Sequence, residues 1–353
     1  MSSDIGVGLI GVSASGGWSR ESHVPAVLGL GGLRLAAVGS RSQENADAAA
    51  AKFGADRAYG DPLALIADPD VHLVGITAPV PAHRDLIVEA VRLGKHVLTE
   101  WPVGVDARQN TEIVDAAGSA DTYVAVGLQA RANPATAMLR SLLDDSVIGR
   151  VLSVTVYSST AGFGPMVPRS ALYLEDPGVG MNLSTIQLAH TLDLVTTLLG
   201  PFAKAVAQYT TQYPGLRIED TGEFLQRVVP DHVLVQGRLS EGAAVAVQVA
   251  GGRPAEETPY RMEVQGESGT LALVGGDVRG FQAGRLELQH DGKAVEVPKT
   301  ELDTLPTPAI NVGGVYASLR DDIRQGTTTA PTLADALELS RLLDRLRGGA
   351  SAG

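Results

Sequence analysis

Cysteine is absent from this chain of 353 residues, and basic charge is scarce. Without cysteine, the protein has no disulfide, no thiolate nucleophile and no thiolate metal site. Asp and Glu number 40 against 28 Lys and Arg, which gives a net charge of −12 at pH 7. Because phosphate backbones bind to basic surfaces, this balance argues against nucleic acid as a direct partner.

Long apolar runs are also missing, and aromatic residues make up only 4% of the chain. No run approaches the roughly 20 residues that cross a bilayer. The N-terminal stretch "MSSDIGVGLIGV" lacks the basic segment and long apolar core of a secretory signal. We therefore expect a cytoplasmic protein without membrane contact. The few aromatics disfavour a large apolar surface for a protein partner. The seven histidines show no close spacing, so we predict no metal site.

The pattern of apolar residues changes near residue 130. The length of the chain favours two domains. In residues 1–130, short apolar runs alternate with helical stretches, which predicts a Rossmann-type, doubly wound parallel sheet. In residues 131–353, alternating runs such as "RVLSVTVYSS" and "HVLVQGRLSEGAAVAVQVAGG" predict an α+β domain with a large, mostly antiparallel sheet. An open sheet of this kind needs its outer face covered, so we predict a homodimer or homotetramer.

A glycine-rich loop follows the first apolar run. Gly11, Ser13 and Gly16 give the pattern G-x-S-x-x-G, one change from the dinucleotide-binding fingerprint. The first glycine permits a tight turn, and small residues let backbone N–H groups approach a pyrophosphate. The pattern predicts a dinucleotide site, with an ordinary strand–helix turn as the alternative. The predicted contacts in the loop are Gly11, Ser13, Ala14, Gly16, Gly17 and Trp18.

The end of the second apolar run bears on the choice of cofactor. An acidic residue there accepts the ribose 2′-hydroxyl of NAD, but this chain has Ser40, Arg41 and Ser42, with no carboxylate before Glu44. Arg41 would pair with a 2′-phosphate, and the serines would donate to it. We therefore favour NADP(H), with NAD(H) possible. The alternative for Arg41 is a solvated loop charge.

Two further motifs are "HVLTEWP", which ends the fourth apolar run, and "QLAHTLD" on a helix of the second domain. Together with the glycine-rich loop, they resemble the glucose–fructose oxidoreductase, inositol dehydrogenase and MocA family over nearly the whole chain. "EWPVGVDARQ", "LQARANP" and "VPDHVLVQGRLSEGAAVAVQVAGGRP" are similar to the branch that includes the fungal galactose-pathway repressor. The family pattern has a lysine where this chain has Trp101, and an aspartate where it has Ile186.

The resemblance implies hydride transfer between a nicotinamide and a sugar- or polyol-like substrate. The lost lysine serves proton transfer, and a positioned acid contributes roughly 100- to 10,000-fold in rate. Indole cannot replace it as an acid, although Trp101 would stack on a ring. His190 becomes the predicted acid–base group, and Tyr173 a second candidate. The alternatives are a hydrogen-bonded structural histidine and a packing tyrosine. Asp193 would orient His190 or make a structural contact.

The resemblance also assigns further positions around the two ligands. Predicted cofactor contacts are Thr77, Ala78, Pro79, His83, Glu100, Trp101 and Gln129. Predicted substrate contacts are Trp101, Arg131, Gln187 and His190. For Glu100 the alternative is an ordinary strand-end carboxylate, and for Arg131 it is a salt bridge between domains.

The sequence thus favours an NAD(P)-dependent oxidoreductase. The alternative is a non-catalytic dinucleotide sensor that binds a protein partner, as the repressor does. A relative with a vacant cleft is a third, weaker hypothesis.

Overall fold

A computed structural model describes residues 4–118 and 121–349. Residues 1–3, 119, 120 and 350–353, which include the outer ends of both predicted domains, lie outside the described residues. Contacts between Cα atoms divide the chain into two compact units. The first contains Met1–Gln129 and Lys299–Glu338, and the second contains Ala130–Pro298 and Leu339–Gly353. Residues 299–338 thus belong to the first unit, whereas they were predicted from the sequence to lie in the second domain. The division into domains of residues 1–130 and 131–353 stays a prediction.

The first unit is built on a sheet of six parallel strands in the order β3-β2-β1-β4-β5-β6. The strands are β1 Ile5–Ile10, β2 Leu33–Gly39, β3 Arg57–Tyr59, β4 Leu73–Ile76, β5 His96–Thr99 and β6 Val124–Val126. The helices between them are α1 Trp18–Glu21, α2 His23–Gly29, α3 Gln43–Phe53, α4 Pro62–Ile66, α5 His83–Arg92 and α6 Ala107–Ala117. This confirms the predicted doubly wound parallel sheet.

The sequence explains this architecture locally. Every residue of β1 is buried, as expected for a parallel strand covered on both faces. Ser42, Asp61 and Asp106 accept backbone N–H groups at the starts of α3, α4 and α6. The strand order reverses between β1 and β4, so this is the switch point of the sheet. Ligands of open α/β sheets bind outside the carboxyl ends of the strands at such a point.

A long helix far along the chain completes the first unit. This helix, α9, spans Thr307–Gln325 and packs against α2. The segment after it pairs with the edge strand β6, where Val126 N donates to Pro331 O at 2.8 Å. An exposed strand edge invites pairing with other chains, and this segment covers it. The sequence analysis did not predict α9.

The second unit contains the large sheet, in the order β17-β16-β15-β14-β7-β13-β12-β9. Only β13 and β7 are parallel neighbours, which confirms the predicted, mostly antiparallel sheet. Its strands are β7 Val151–Ser159, β9 Phe202–Thr210, β12 His232–Leu239, β13 Ala244–Ala250, β14 Pro259–Gly266, β15 Thr270–Gly276, β16 Leu286–His290 and β17 Lys293–Val295. A three-stranded sheet consists of β8 Met166–Val167, β10 Gly215–Ile218 and β11 Phe224–Gln226.

Among the described residues, the helices α7 Pro134–Asp144 and α8 Gln187–Leu199 lie wholly in this unit. The helix α10 Leu333–Gly348 begins in the first unit and continues into the second. Along β12 and β13, valines on one face are buried while the other face is exposed, the alternation typical of a half-solvated antiparallel sheet. Within the described residues, no helix is both long and apolar enough to cross a membrane.

A buried guanidinium joins several loops of the second unit. Arg227 binds Glu175 with two parallel hydrogen bonds of 2.9 and 2.7 Å and donates to Asp231 at 3.2 Å. It also donates to the backbone oxygens of Phe163 and Gly164, at 2.7 and 2.8 Å. These contacts give each of its five N–H donors an acceptor. The cluster holds the 3₁₀ segment Arg169–Glu175, which carries Tyr173.

Candidate functional site

The glycine-rich loop lies at the switch point of the parallel sheet. Gly11 follows β1 with a φ of +94°, and a Cβ there would lie 2.8 Å from the carbonyl of Thr77, which follows β4. Thr77 in turn donates to the Ile10 carbonyl through both N and Oγ1, at 3.0 and 2.7 Å. The structure thus brings two predicted cofactor residues into contact, and it explains why the first position of the loop is glycine.

Two cations that sequence reasoning missed hold this loop. Lys52 Nζ on α3 donates to the Ala14 carbonyl at 2.6 Å, and Arg20 Nη1 on α1 donates to the Ser15 carbonyl at 2.7 Å. Ser13 Oγ lies 3.0 Å from Ser15 Oγ. The loop therefore has positive charge beside it, as an anion site requires. A lysine placed 38 residues along the chain gives no sequence signal for this role.

We expect Gly11→Ala to damage both the loop and any dinucleotide site. The new methyl group would collide with Thr77 and force alanine into the left-handed region, a strain of about 1–3 kcal/mol. Gly16→Ala is the matched control, because a Cβ at Gly16 meets nothing within 4 Å. Urea unfolding should show the loss only in G11A. Equal stability of the two variants would contradict this account of the loop.

The predicted phosphate-selecting residues lie together after β2. Ser42 Oγ accepts from Asn45 N at 3.3 Å, and so caps α3, while Ser40 N donates to the Tyr59 carbonyl at 3.1 Å. Arg41 is exposed, and within residues 4–118 and 121–349 its side chain makes no hydrogen bond or ion pair. Its guanidinium is therefore available to a ligand, beside the N-terminus of an eleven-residue helix.

Glu100, directly after β5, is the acceptor of a buried hydrogen-bond network. Trp18 Nε1 donates to Glu100 Oε1 at 3.1 Å, and His23 Nε2 lies 2.6 Å from the same oxygen. His23 Nδ1 lies 2.9 Å from the hydroxyl of Tyr316 on α9. A Cβ at Gly127, after β6, would lie 3.1 Å from Glu100 Oε2. Sequence reasoning named Trp18 and Glu100 but missed His23 and Tyr316.

Two other predicted cofactor residues are buried. His83 Nε2 lies 2.7 Å from the Ala78 carbonyl and so fixes the segment that contains Ala78 and Pro79. Burial lowers the pKa of His83, an effect that the hydrogen bond to Ala78 and the charge of Glu100 oppose. Trp101 is only 5% exposed. Its predicted stacking role stays a prediction.

Gln129 supplies a test of whether the site suits a dinucleotide. It follows β6 and is buried, and its Oε1 has no hydrogen-bond partner among the described residues. A buried carbonyl oxygen left without a donor costs about 1–3 kcal/mol. The carboxamide N–H of a nicotinamide is a suitable donor. Together with the open space beside Gly16 and Gly17, this oxygen shows that the residues fit the group.

Two predicted substrate residues of the second unit, Arg131 and Gln187, are hydrogen-bonded to other side chains of that unit. Arg131 binds both carboxylate oxygens of Asp193 on α8, with contacts of 2.5 to 3.1 Å. Gln187 Nε2 donates to Ser158 Oγ at 2.8 Å, and a side chain at Gly280 would overlap its amide oxygen. Arg131 and Asp193 therefore form a buried ion pair, and Gln187 is fixed against β7.

The two predicted acid–base groups differ in exposure. His190 lies on α8 and is buried, and its backbone N donates to the Ile186 carbonyl at 3.0 Å. Tyr173 is 46% exposed. Partial burial raises the pKa of Tyr173, and Arg279 opposes that effect. His190 and Tyr173 belong to the second unit, whereas Trp101 belongs to the first, so their predicted meeting stays a prediction.

No group of three or more His, Asp or Glu side chains in the described part of the chain could hold a metal ion. The absence of a metal site in the whole protein stays a prediction.

Two protein families match consecutive parts of the chain. Residues 5–128 match the family described as "Oxidoreductase family, NAD-binding Rossmann fold". Residues 134–275 match the family described as "Gal80p, C-terminal domain". The first match covers the parallel sheet and the glycine-rich loop, and the second covers most of the antiparallel sheet.

The relatives include both a regulator and dehydrogenases. The chain is 24% identical to the galactose/lactose metabolism regulatory protein GAL80 of Saccharomyces cerevisiae, over 82% of this chain and 70% of that protein. It is 28% identical to inositol 2-dehydrogenase 2 of Saccharopolyspora erythraea, over 76% and 72%. A solved structure of levoglucosan dehydrogenase in complex with NADH and L-sorbose is 20% identical, with a TM-score of 0.83 over 98% of this chain and 97% of that chain. The structural likeness shows the shared fold.

Proposed function

We infer that this chain is a nicotinamide-dependent oxidoreductase. Its residues 5–128 match the oxidoreductase family with an NAD-binding Rossmann fold, and its residues 134–275 match the Gal80p C-terminal domain. Its proposed reaction is hydride transfer to or from a sugar- or polyol-like substrate. The observation that carries the proposal is the glycine-rich loop at the switch point, where Gly11 contacts Thr77 and Gln129 offers a buried, unsatisfied oxygen. Relatives named as sugar and polyol dehydrogenases support the substrate class.

The residues proposed to bind the cofactor lie after the carboxyl ends of the parallel strands. The loop from Gly11 to Trp18 would hold the pyrophosphate, aided by Lys52 and Arg20, while Gln129 would accept from the carboxamide. The bound nicotinamide supplies a hydride acceptor or donor, which no side chain provides. His190 and Tyr173 are the proposed proton-transfer groups.

Fewer observations support the proposed substrate contacts. Trp101 would contribute an apolar wall. Arg131 and Gln187 would act from fixed positions, because each is already held by a neighbour in the second unit. Arg131 thus keeps its guanidinium near one orientation.

We propose NADP(H) as the preferred cofactor, and expect Arg41→Ala to remove the preference. A charged hydrogen bond contributes about 1.5–3 kcal/mol, so the Kd of NADPH should rise roughly 10- to 100-fold. The Kd of NADH should stay unchanged. Arg34→Ala, at the opposite end of β2, is the control that removes the same charge. Fluorescence titration of the wild type and both variants measures all six constants, and equal losses for NADH and NADPH in R41A would count against a phosphate contact.

A second candidate function is the non-catalytic sensor, and one surface favours it. On the three-stranded sheet, Met166 and Phe224 both lie opposite Arg217 in the strand register, so they share a face. Phe224 is 66% exposed, and Val228 nearby in the chain is 68% exposed. Exposed apolar side chains in one place are typical of protein-binding surfaces.

One experiment separates the two functions. Purified protein is mixed with NADP⁺ or NAD⁺ and a panel of polyols and sugars, and reduced nicotinamide is followed by absorbance. Steady turnover of any panel member supports the oxidoreductase. The reverse reaction is tested with NADPH and ketoses. Saturable cofactor binding with no turnover in either direction supports the sensor and contradicts the proposed oxidoreductase.

The proposed homodimer or homotetramer would use the exposed face of the large sheet. Val206, Gln236 and Ala246 lie side by side on it, and Leu234 is also exposed. These side chains are uncharged, which suits burial against a second copy. Light scattering should give the mass of two or four chains, and a monomer mass for the wild type would refute the assembly. A cytoplasmic location stays a prediction.

A further inference from the structure

Two histidines stand side by side at the amino edge of the parallel sheet, opposite the edge that carries the glycine-rich loop. His72 directly precedes β4 and His96 begins β5, and His96 N donates to His72 O at 3.0 Å. His72 is exposed and His96 is half-buried. We call these two residues the histidine pair.

Each imidazole accepts a backbone N–H from a neighbouring strand. Gly6 N in β1 donates to His72 Nδ1 at 3.0 Å, and Tyr123 N directly before β6 donates to His96 Nδ1 at 3.1 Å. In return, His72 N donates to Gly6 O at 2.8 Å, and Val97 N donates to Tyr123 O at 2.8 Å. The histidine pair therefore joins the amino ends of four adjacent strands, in the order β1-β4-β5-β6.

These contacts fix the protonation state of both rings. A backbone N–H group only donates, so Nδ1 of each histidine must carry no hydrogen. Each imidazole is then neutral, with its hydrogen on Nε2. A proton added at Nδ1 would face the N–H group that Nδ1 now accepts, and the hydrogen bond would break. Protonation of a ring and its contact to the neighbouring strand therefore exclude each other.

The charged groups on the segments beside the histidine pair have other partners or lie in solvent. They are Asp4 before β1, Asp68 and Asp70 before β4, Lys95 before β5 and Asp121 before β6. Arg57 on β3 binds Asp68 and Asp70, and Lys95 Nζ donates to the carbonyls of Asp68 and Val71 at 2.9 and 2.7 Å. The Tyr123 ring lies 5.6 Å from the His96 ring between centroids. In the described part of the chain, neither imidazole forms an ion pair with a carboxylate.

The sign of the pH dependence follows from His96. Burial lowers the pKa of His96 from its ordinary value, and the neighbouring His72 adds to the effect. The unfolded chain therefore takes up this proton at a higher pH than the folded chain. The contribution of His96 to stability is present above about pH 6.5 and is lost as the pH falls below that value.

We propose that the histidine pair is a pH-sensitive switch, which holds the amino ends of β1 and β6 at neutral pH and releases them when the rings take up protons. The two donors that lose their acceptors are Gly6 N and Tyr123 N. The switch needs no bound cofactor, so it is tested independently of the proposed function.

Hydrogen exchange of the wild-type chain, followed by NMR at about pH 7.5 and about pH 5, tests the switch on either side of the histidine range. The protection factor divides out the effect of pH on the chemistry of exchange. Thr77 N donates to Ile10 O at the opposite edge of the same sheet and is the internal reference. Relative to Thr77, protection of Gly6 and Tyr123 should fall roughly 3- to 10-fold in acid, as expected for the loss of one hydrogen bond.

His96→Asn separates protonation from loss of the ring. Its Oδ1 can accept from Tyr123 N in place of Nδ1 but does not titrate, so Tyr123 should keep its protection at both pH values. His96→Ala removes the acceptor and should lower that protection roughly 3- to 10-fold at both pH values. His290→Asn replaces a partly exposed histidine of the second unit and should leave the wild-type pH dependence unchanged.

The wild-type measurement decides the proposal even if a variant does not fold. Protection of Gly6 and Tyr123 that keeps the same ratio to Thr77 at both pH values would overturn the switch. An acid loss at Tyr123 that is as large in a folded H96N as in the wild type would also overturn it, because residue 96 then no longer titrates.

Discussion

Replacing Arg227 by alanine is expected to lower the free energy of unfolding by about 3–5 kcal/mol. The side chains of Arg227 and Asp231 are fully buried, and Glu175 is nearly so. The variant leaves two carboxylates in the interior without the cation that compensates them. It also leaves the carbonyls of Phe163 and Gly164 without their donor. A loss of this size is a large part of the stability of most proteins.

The matched control is Arg150→Ala. Arg150 pairs with Glu267 at 2.9 Å in the same unit, but both side chains are about half exposed or more. Exposed pairs contribute about 0–1 kcal/mol, so R150A should unfold near the wild-type urea concentration. Arg227→Lys should fall between the two, because an ammonium keeps the charge but cannot reproduce the planar fork. Equal midpoints for R227A and R150A would show that the cluster does not hold the second unit together.

His190→Ala is expected to reduce kcat by roughly 100- to 10,000-fold with the panel substrate that gives turnover. The chain has Trp101 where the family that it resembles has a lysine, so we propose that the imidazole on α8 transfers the proton. His190→Gln should show the same loss, because glutamine forms hydrogen bonds but does not exchange a proton at neutral pH. The Kd of NADPH should remain within a few-fold of the wild type in both variants.

His290→Ala provides the control for this prediction. His290 ends β16 and its side chain is partly exposed, so its loss should leave turnover unchanged. Circular dichroism and urea unfolding establish that each variant is folded before its rate is compared. Turnover of a folded H190A or H190Q near the wild-type rate would transfer the acid–base role to Tyr173 or to another group.

The first unit shows how much of the fold could be predicted from sequence. The alternation of short apolar runs with helical stretches in residues 1–130 predicted the doubly wound parallel sheet that the structure shows. The helix α9 was missed, since it contains Gly313 and Gly314, and glycine normally marks a break. In the structure, a Cβ at Gly313 would lie 2.5 Å from Leu305 Cδ1. Close packing, which a sequence pattern does not reveal, requires glycine there.

The candidate site was likewise predicted only in part from the sequence. The fingerprint predicted the loop because a tight turn and small residues follow from local chemistry. Lys52, His23 and Tyr316 were missed, since each acts on a residue brought near only by the tertiary fold. Arg131 and Gln187 were predicted as substrate contacts from the family resemblance, and the structure adds the partners that restrain them. Long-range pairing of this kind has no fixed spacing along the chain.

The most direct test of the account is a titration of the purified wild-type chain with NADPH, followed by nicotinamide fluorescence. The account predicts saturable binding of one NADPH per chain, displacement by NADP⁺, and marked weakening in G11A. Fluorescence that stays unchanged up to millimolar NADPH and NADH would contradict it, since the loop between β1 and α1 would then not be a dinucleotide site.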